Sequence, residues 1–239
     1  MQVAGVDGFA RGWVVVLRSG MNVELRVCAD FASVLAMTQA CRTVAIDMPI
    51  GFLDQGQPGG RACERAARQF VDRPRTSSVF SSPIRDALAA ANFPSALAIN
   101  RGAGGIGISK QAFCLFPKMI EIDRALQPAM QERLKEVHPE VCFVALRRMV
   151  APNVPAFTPL QKKTAPVGQQ QRERLLELAG YRNSAELITL GRKHGAAPDD
   201  VLDAAVAAWT AMRVAAGDAC SLPDHPPHDR RGLEMAIWY

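Results

Sequence analysis

Long apolar runs are missing from this chain of 239 residues. No stretch approaches the ~20 residues that a helical membrane span requires, so an integral membrane protein is excluded. The six cysteines, at positions 28, 41, 63, 114, 142 and 220, form no CxxC pair and keep no regular spacing. A disulfide framework and a zinc knuckle are therefore excluded, and reduced, mostly buried thiols in a cytosol are expected. Aromatic residues make up only 6% and none is interleaved with basic ones, which argues against a stacking platform for single strands. Lys and Arg outnumber Asp and Glu by 28 to 23, and the pI is near 9.1, yet no long basic run occurs. That balance permits an anionic partner such as nucleic acid without demanding one. The opening MQVAGVDGFARGW has no basic segment before an apolar stretch and no small-residue cleavage site, so no secretory signal and a cytoplasmic location are expected. No internal repeat or domain-scale linker is visible, so residues 1–239 read as one domain, and nothing specifies its oligomeric state.

What is present points to an α/β fold. Hydrophobic residues at 49% and charged residues at 21% suit a packed core. Short apolar runs at 3–6, 13–17 and 22–29 predict three strands, the first two joined at 8–12. Asp30 looks like an N-cap for a helix presenting Phe31, Val34, Leu35 and Thr38. A fourth strand over 43–48 is apolar apart from Thr43 and Asp47, as expected of a central strand covered on both faces. Helices are predicted over 61–71, 83–91, 112–126, 172–179 and 184–193, with the clearest over 199–216. Residues 92–111 read as a flexible glycine-rich loop, 137–146 as a second buried strand, and 150–171 as an extended connection. The sum is a mixed five-stranded sheet flanked by helices, with a helical insertion at about 52–135 after the fourth strand.

The residues that carry chemistry are acids embedded in apolar elements: Asp7, Asp47, Glu140, Asp200 and Asp203. One ionised carboxylate buried without a partner is very costly, and several facing one point repel unless a cation neutralises them. Hard divalent cations take carboxylate and water ligands. Asp200 and Asp203 are three apart and share a helix face, while Asp7 and Asp47 could lie side by side on adjacent strands. The expected result is a site at which Mg²⁺ or Mn²⁺ is held by Asp7, Asp47, Asp200 and Asp203, able to clamp a phosphodiester between two metals. Each acid has an ordinary alternative: Asp7 as a turn residue, Asp199 or Asp200 as a helix cap, Glu140 as the partner of an arginine.

Blocks spread along the chain carry a resemblance. GVDG at 5–8, IDMPIG at 46–51, GRACERAAR at 60–68, SSVFSSP at 77–83, SKQAF at 109–113, EVHPEVCF at 136–143, KKT at 162–164, DDVLDAAVAAW at 199–209 and the terminal RGLEMAIWY are similar, in order, to the bacterial family catalogued as domain of unknown function 429. Its members are described as predicted nucleases of ribonuclease-H-like fold. That resemblance implies acids on the first strand, the fourth strand and the last helix, as in resolvases of the RuvC type, and Asp7, Asp47, Asp200 and Asp203 match that layout. The implied activity is metal-dependent hydrolysis of nucleic acid, with Glu140 orienting a water or serving the fold. Two departures stand out: Asp47 is followed directly by Met-Pro-Ile-Gly, and the insertion and HPE block have no counterpart in a minimal ribonuclease H.

Two other classes remain open at this level. An actin-like phosphate-handling enzyme also begins with an acid before a glycine turn, but that branch needs a second such hairpin and none occurs. A catalytically silent nucleic-acid-binding module is the third. Arg61, Arg68, Arg75, Lys162 and Lys163 are candidates to hold phosphates, since guanidinium forks bind phosphate oxygens in pairs. The resemblance adds Ser109 and Lys110 as candidates to face the site. Gly102, Gly104 and Gly107 fit a dinucleotide fingerprint by letters only, with no strand before them, and His225 and His228 lack acidic or cysteine companions for a metal.

Overall fold

A computed structural model describes residues 1–73 and 75–239. The chain opens with β1 (Gln2–Phe9), β2 (Gly12–Ser19) and β3 (Asn22–Cys28), followed by α1 (Phe31–Met37) and β4 (Thr43–Asp47). Next come α2 (Ala62–Phe70), α3 (Phe93–Gly102), α4 (Lys110–Cys114) and α5 (Phe116–Ala125). The second half holds β5 (Leu134–Glu136), α6 (Pro139–Val150), α7 (Pro166–Leu178), α8 (Ser184–Lys193) and α9 (Pro198–Ala216). A small antiparallel pair, β6 (Ser221–Leu222) and β7 (Ile237–Trp238), lies at the end.

Five strands form one mixed sheet in the order β3-β2-β1-β4-β5. The first three are antiparallel neighbours, whereas β4 runs parallel to β1 and β5 parallel to β4. This α/β arrangement is consistent with the expected ribonuclease-H-like layout. Side chains alternate between the faces, as a strand's period of two requires. Val3, Phe9, Val14, Val16 and Ala45 join α6, α7, α8 and α9 in one core, and Ala4, Val6, Val15, Val44 and Ile46 join α1 and the helices of the insertion in another. Both faces being covered, β1 and β4 are apolar nearly throughout.

The closest seam is that of α9 on β1. A side chain at Gly5 would collide with the backbone of α9, its Cβ falling 2.1 Å from Ala204 O and Ala208 N. Glycine in the strand and alanine at Ala204, Ala207, Ala208 and Ala211 in the helix allow this approach. Pro198 sits in the first turn of α9, and Gly217 ends the helix in the left-handed conformation at φ +81°.

Some elements differ from expectation. Residues 137–146 form most of α6 and not a strand: His138 is the N-cap, Pro139 takes the first turn, and Val141 to Leu146 are all buried. A helix buried on every side has no polar stripe, so its sequence reads like a buried strand. The strand that does pair with β4 is the three-residue β5, just ahead of it. Residues 92–111 contain α3, capped by Asn92, and the start of α4. Pro117 splits the helix expected over 112–126 into α4 and α5. The stretch 83–91 is helical only as a 3-10 turn over Arg85–Ala89, and α7 begins at Pro166, shortening the extended connection. No helix among the described residues is long and apolar enough to cross a membrane.

Candidate functional site

Asp7 and Asp47 are direct partners in the β1–β4 register, on the sheet face that α9 covers. Adjacent strands lie ~4.8 Å apart, so register alone brings the two carboxylates together. The close seam at Gly5 then lowers Asp203 of α9 onto them, and one carboxylate oxygen from each of the three residues falls within 4.8 Å of the others. Asp7 is 6% exposed and Asp203 1%, whereas Asp47 is only half-buried and opens the cluster to solvent. Asp200, expected as a fourth ligand, lies in the first turn of α9 and caps it, its Oδ2 accepting from Ala197 N at 2.7 Å. Sharing a helix face with Asp203 did not bring it into the cluster, because the N–H of Ala197 at the helix end claims its carboxylate.

Burial and mutual repulsion act in the same direction here. Burial, then the charges of Asp47 and Asp203, push Asp7 well above the usual carboxylate range. Burial followed by the charge of Asp203 pushes Asp47 up to about 8. Asp203 is raised by burial and partly drawn back by Lys163, and burial raises Asp200 to about 6. Among the described residues no Lys, Arg or His forms an ion pair with Asp7 or Asp47. Asp203 Oδ1 is buried with no hydrogen-bond partner. A donor set of three carboxylates, closely grouped and short of positive charge, fits a hard divalent cation such as Mg²⁺ or Mn²⁺.

One cation does reach the cluster. Lys163 Nζ lies 2.5 Å from Asp203 Oδ2 and 3.6 Å from Asp199 Oδ2. Burial opposes its charge, but Asp203 and Asp7 prevail and raise its pKa. The backbone beside it is held by α7. Arg172, fully buried, donates from Nη1 to Gln161 O and Gly168 O, each at 2.9 Å, and from Nη2 to both oxygens of Glu140 at 2.9 Å. Arg75 reaches the same Glu140 at 3.3 Å. Glu140 is therefore an arginine partner and not a fourth acid of the cluster. His138 caps α6 through Nδ1, which accepts from Glu140 N at 3.3 Å, and burial lowers its pKa.

The basic candidates separate on contact. Arg61 is 2% exposed, and its Nε and both Nη atoms are taken by Glu64, Glu136 and the carbonyls of Ile50 and Gly51. It is a buried structural residue engaged at all three nitrogens, and not the phosphate contact expected. Arg68 holds the neighbouring loop through Val79 O, Gly59 O and Ser81 Oγ. Arg75 spends Nη2 on Ser78 and Glu140 and keeps Nε without a partner. Ser109 is exposed and caps α4 by accepting from Ala112 N at 3.0 Å, while Lys110 and Lys162 are exposed. Lys163, expected at a phosphate, lies instead on Asp203. Arg172 was not anticipated: one of two arginines in a helix rich in Gln and Glu makes no pattern.

The model of the family described as protein of unknown function (DUF429) matches residues 5–228. The chain belongs to that family. The span matched by the family model includes Asp7, Asp47, Lys163 and Asp203. No curated protein and no solved structure matches the chain.

Proposed function

We propose that this protein is a cytoplasmic metal-dependent nuclease that hydrolyses phosphodiester bonds of nucleic acid with Mg²⁺ or Mn²⁺. The observation that carries this reading is the convergence of Asp7, Asp47 and Asp203 within 4.8 Å, with Asp203 Oδ1 buried and unpartnered. These three residues would hold the cation, which when bound supplies Lewis-acid stabilisation of a phosphate and a water acidic enough to attack it. The chain's own contribution is to keep the carboxylates in place. Strand register sets Asp7 against Asp47, the Gly5 seam sets the height of Asp203, and Lys163 orients its carboxylate. The half-buried Asp47 is the side on which substrate meets the cluster. The net positive charge and the exposed Lys110 and Lys162 favour a polyanion.

The test is cleavage of a panel of single-stranded, duplex and branched DNA and RNA by the purified protein with Mn²⁺. Asp7→Asn keeps the shape and removes the charge, so cleavage is expected to fall to the uncatalysed background while the melting transition survives. Cleavage undiminished in a rigorously purified variant removes the acid cluster from the chemistry.

A further inference from the structure

We propose that the ammonium of Lys163 is a built-in cation of the acid cluster, so that the site takes one divalent ion and not two. This rests on the reading of Asp7, Asp47 and Asp203 as a cation site. Asp203 divides its carboxylate: Oδ2 receives Lys163 Nζ at 2.5 Å, and Oδ1, on a residue 1% exposed, has no partner. Three carboxylates are neutralised by one ammonium together with one divalent ion. A second divalent ion would leave the buried cluster with excess positive charge, which burial penalises as it does excess negative charge. The carboxylates nearest the three are outside the group and already engaged: Asp199 lies 3.6 Å from Lys163 Nζ, Asp200 caps α9, and Glu140 is held by Arg172.

The lysine is held in place from behind, by contacts independent of the cluster. Arg172 fixes Gln161 O, and Gln171 Oε1 accepts from Gln161 N at 2.7 Å. Ala165 N donates to Lys162 O at 2.9 Å, and a Cβ at Gly168 would lie 2.1 Å from that same carbonyl. The backbone on both sides of Lys163 is thus tied down by residues that touch none of the three acids. Much of the entropy cost of ordering this cation is met when the chain folds.

Manganese titrated calorimetrically into the metal-free full-length protein counts the ions. One ion per chain is expected for the parent and for Lys163→Arg, and in Lys163→Met, which removes the ammonium and leaves the three carboxylates with no cation of their own, that ion is expected to bind more tightly than in the parent. The Lys163→Met protein should also melt below the parent in chelator and recover most of the difference when Mn²⁺ is added. Two ions on the parent or on Lys163→Arg overturn the proposal and leave the cation site standing. A first ion bound no more tightly by a folded Lys163→Met than by the parent does the same. Should Lys163→Met fail to fold, the counts on the parent and on Lys163→Arg still decide. No binding to the parent overturns both the lysine's part and the site beneath it.

Discussion

Two of the buried charge clusters in this molecule are resolved in opposite ways. Around Arg61, two carboxylates share one guanidinium: Glu64 accepts from Nε at 2.7 Å and Glu136 from Nη2 at 2.6 Å. Backbone N–H groups complete the set, with Ile50 N on Glu136 and Arg61 N and Ser82 N on Glu64. At the other cluster, of Asp7, Asp47 and Asp203 only Asp203 pairs with a lysine, and its second oxygen is left over. Asp47 apart, burial is comparable, so what differs is completeness. Buried polar groups that find all their partners serve the scaffold, whereas a group left short is waiting for something the chain does not supply. By that standard Arg61 is architecture and the aspartates are the candidate site.

The largest effect should come from breaking the complete cluster. Arg61→Met leaves Glu64 and Glu136 buried without their cation and is expected to cost about 3–5 kcal/mol. For a chain of this size that is a fall in Tm of ~6–20 °C, read by calorimetry. A loss below about 1 kcal/mol would mean that the Arg61 cluster is no better completed than the aspartates.

Breaking the incomplete cluster should do the reverse. Asp47→Asn removes a repelling charge with no ion-pair partner and should raise the metal-free Tm by about 2–4 °C at pH 8, as expected for ~1 kcal/mol. The sign follows from the raised pKa. A folded-state value of about 8 means the native chain keeps a proton that the unfolded chain sheds near pH 4. The stability this contributes is complete below pH ~4 and is lost as pH rises through about 8. The variant's advantage over the parent should therefore grow across that window and vanish at its acid end, and Mn²⁺ should stabilise the parent most at its alkaline end. An advantage independent of pH would show that Asp47 is not the group titrating.

The smallest effect separates Lys162 from its neighbour. Exposed Lys162 should change stability by less than about 0.5 kcal/mol on replacement by Ala. If it meets a phosphate, the salt dependence of nucleic-acid binding should become shallower by roughly one unit of log–log slope. Identical slopes for Lys162→Ala and parent place that lysine away from the nucleic acid.

Much of this was written in local patterns. The apolar runs of β1, β2 and β4, the cap at Asp30, the proline and glycine that bound α9, and the oddity of Asp7, Asp47 and Asp203 inside apolar runs are all short-range features, because propensity and periodicity act over a few residues. They determined four of the five strands, the helical cover and the wider set of acids from which the cluster of three is drawn. Tertiary structure alone decided the rest. The choice of Asp203 over Asp200 turned on a helix end, and α6 took the place of a strand because it is buried on every side. The division of the cations is the plainest case. Arg61 reaches Glu136 and Lys163 reaches Asp203 across 75 and 40 positions of chain. Which charge is neutralised and which is left for a ligand depends on contacts between segments that no local pattern relates, and those contacts exist only once the sheet and its helices have closed around them.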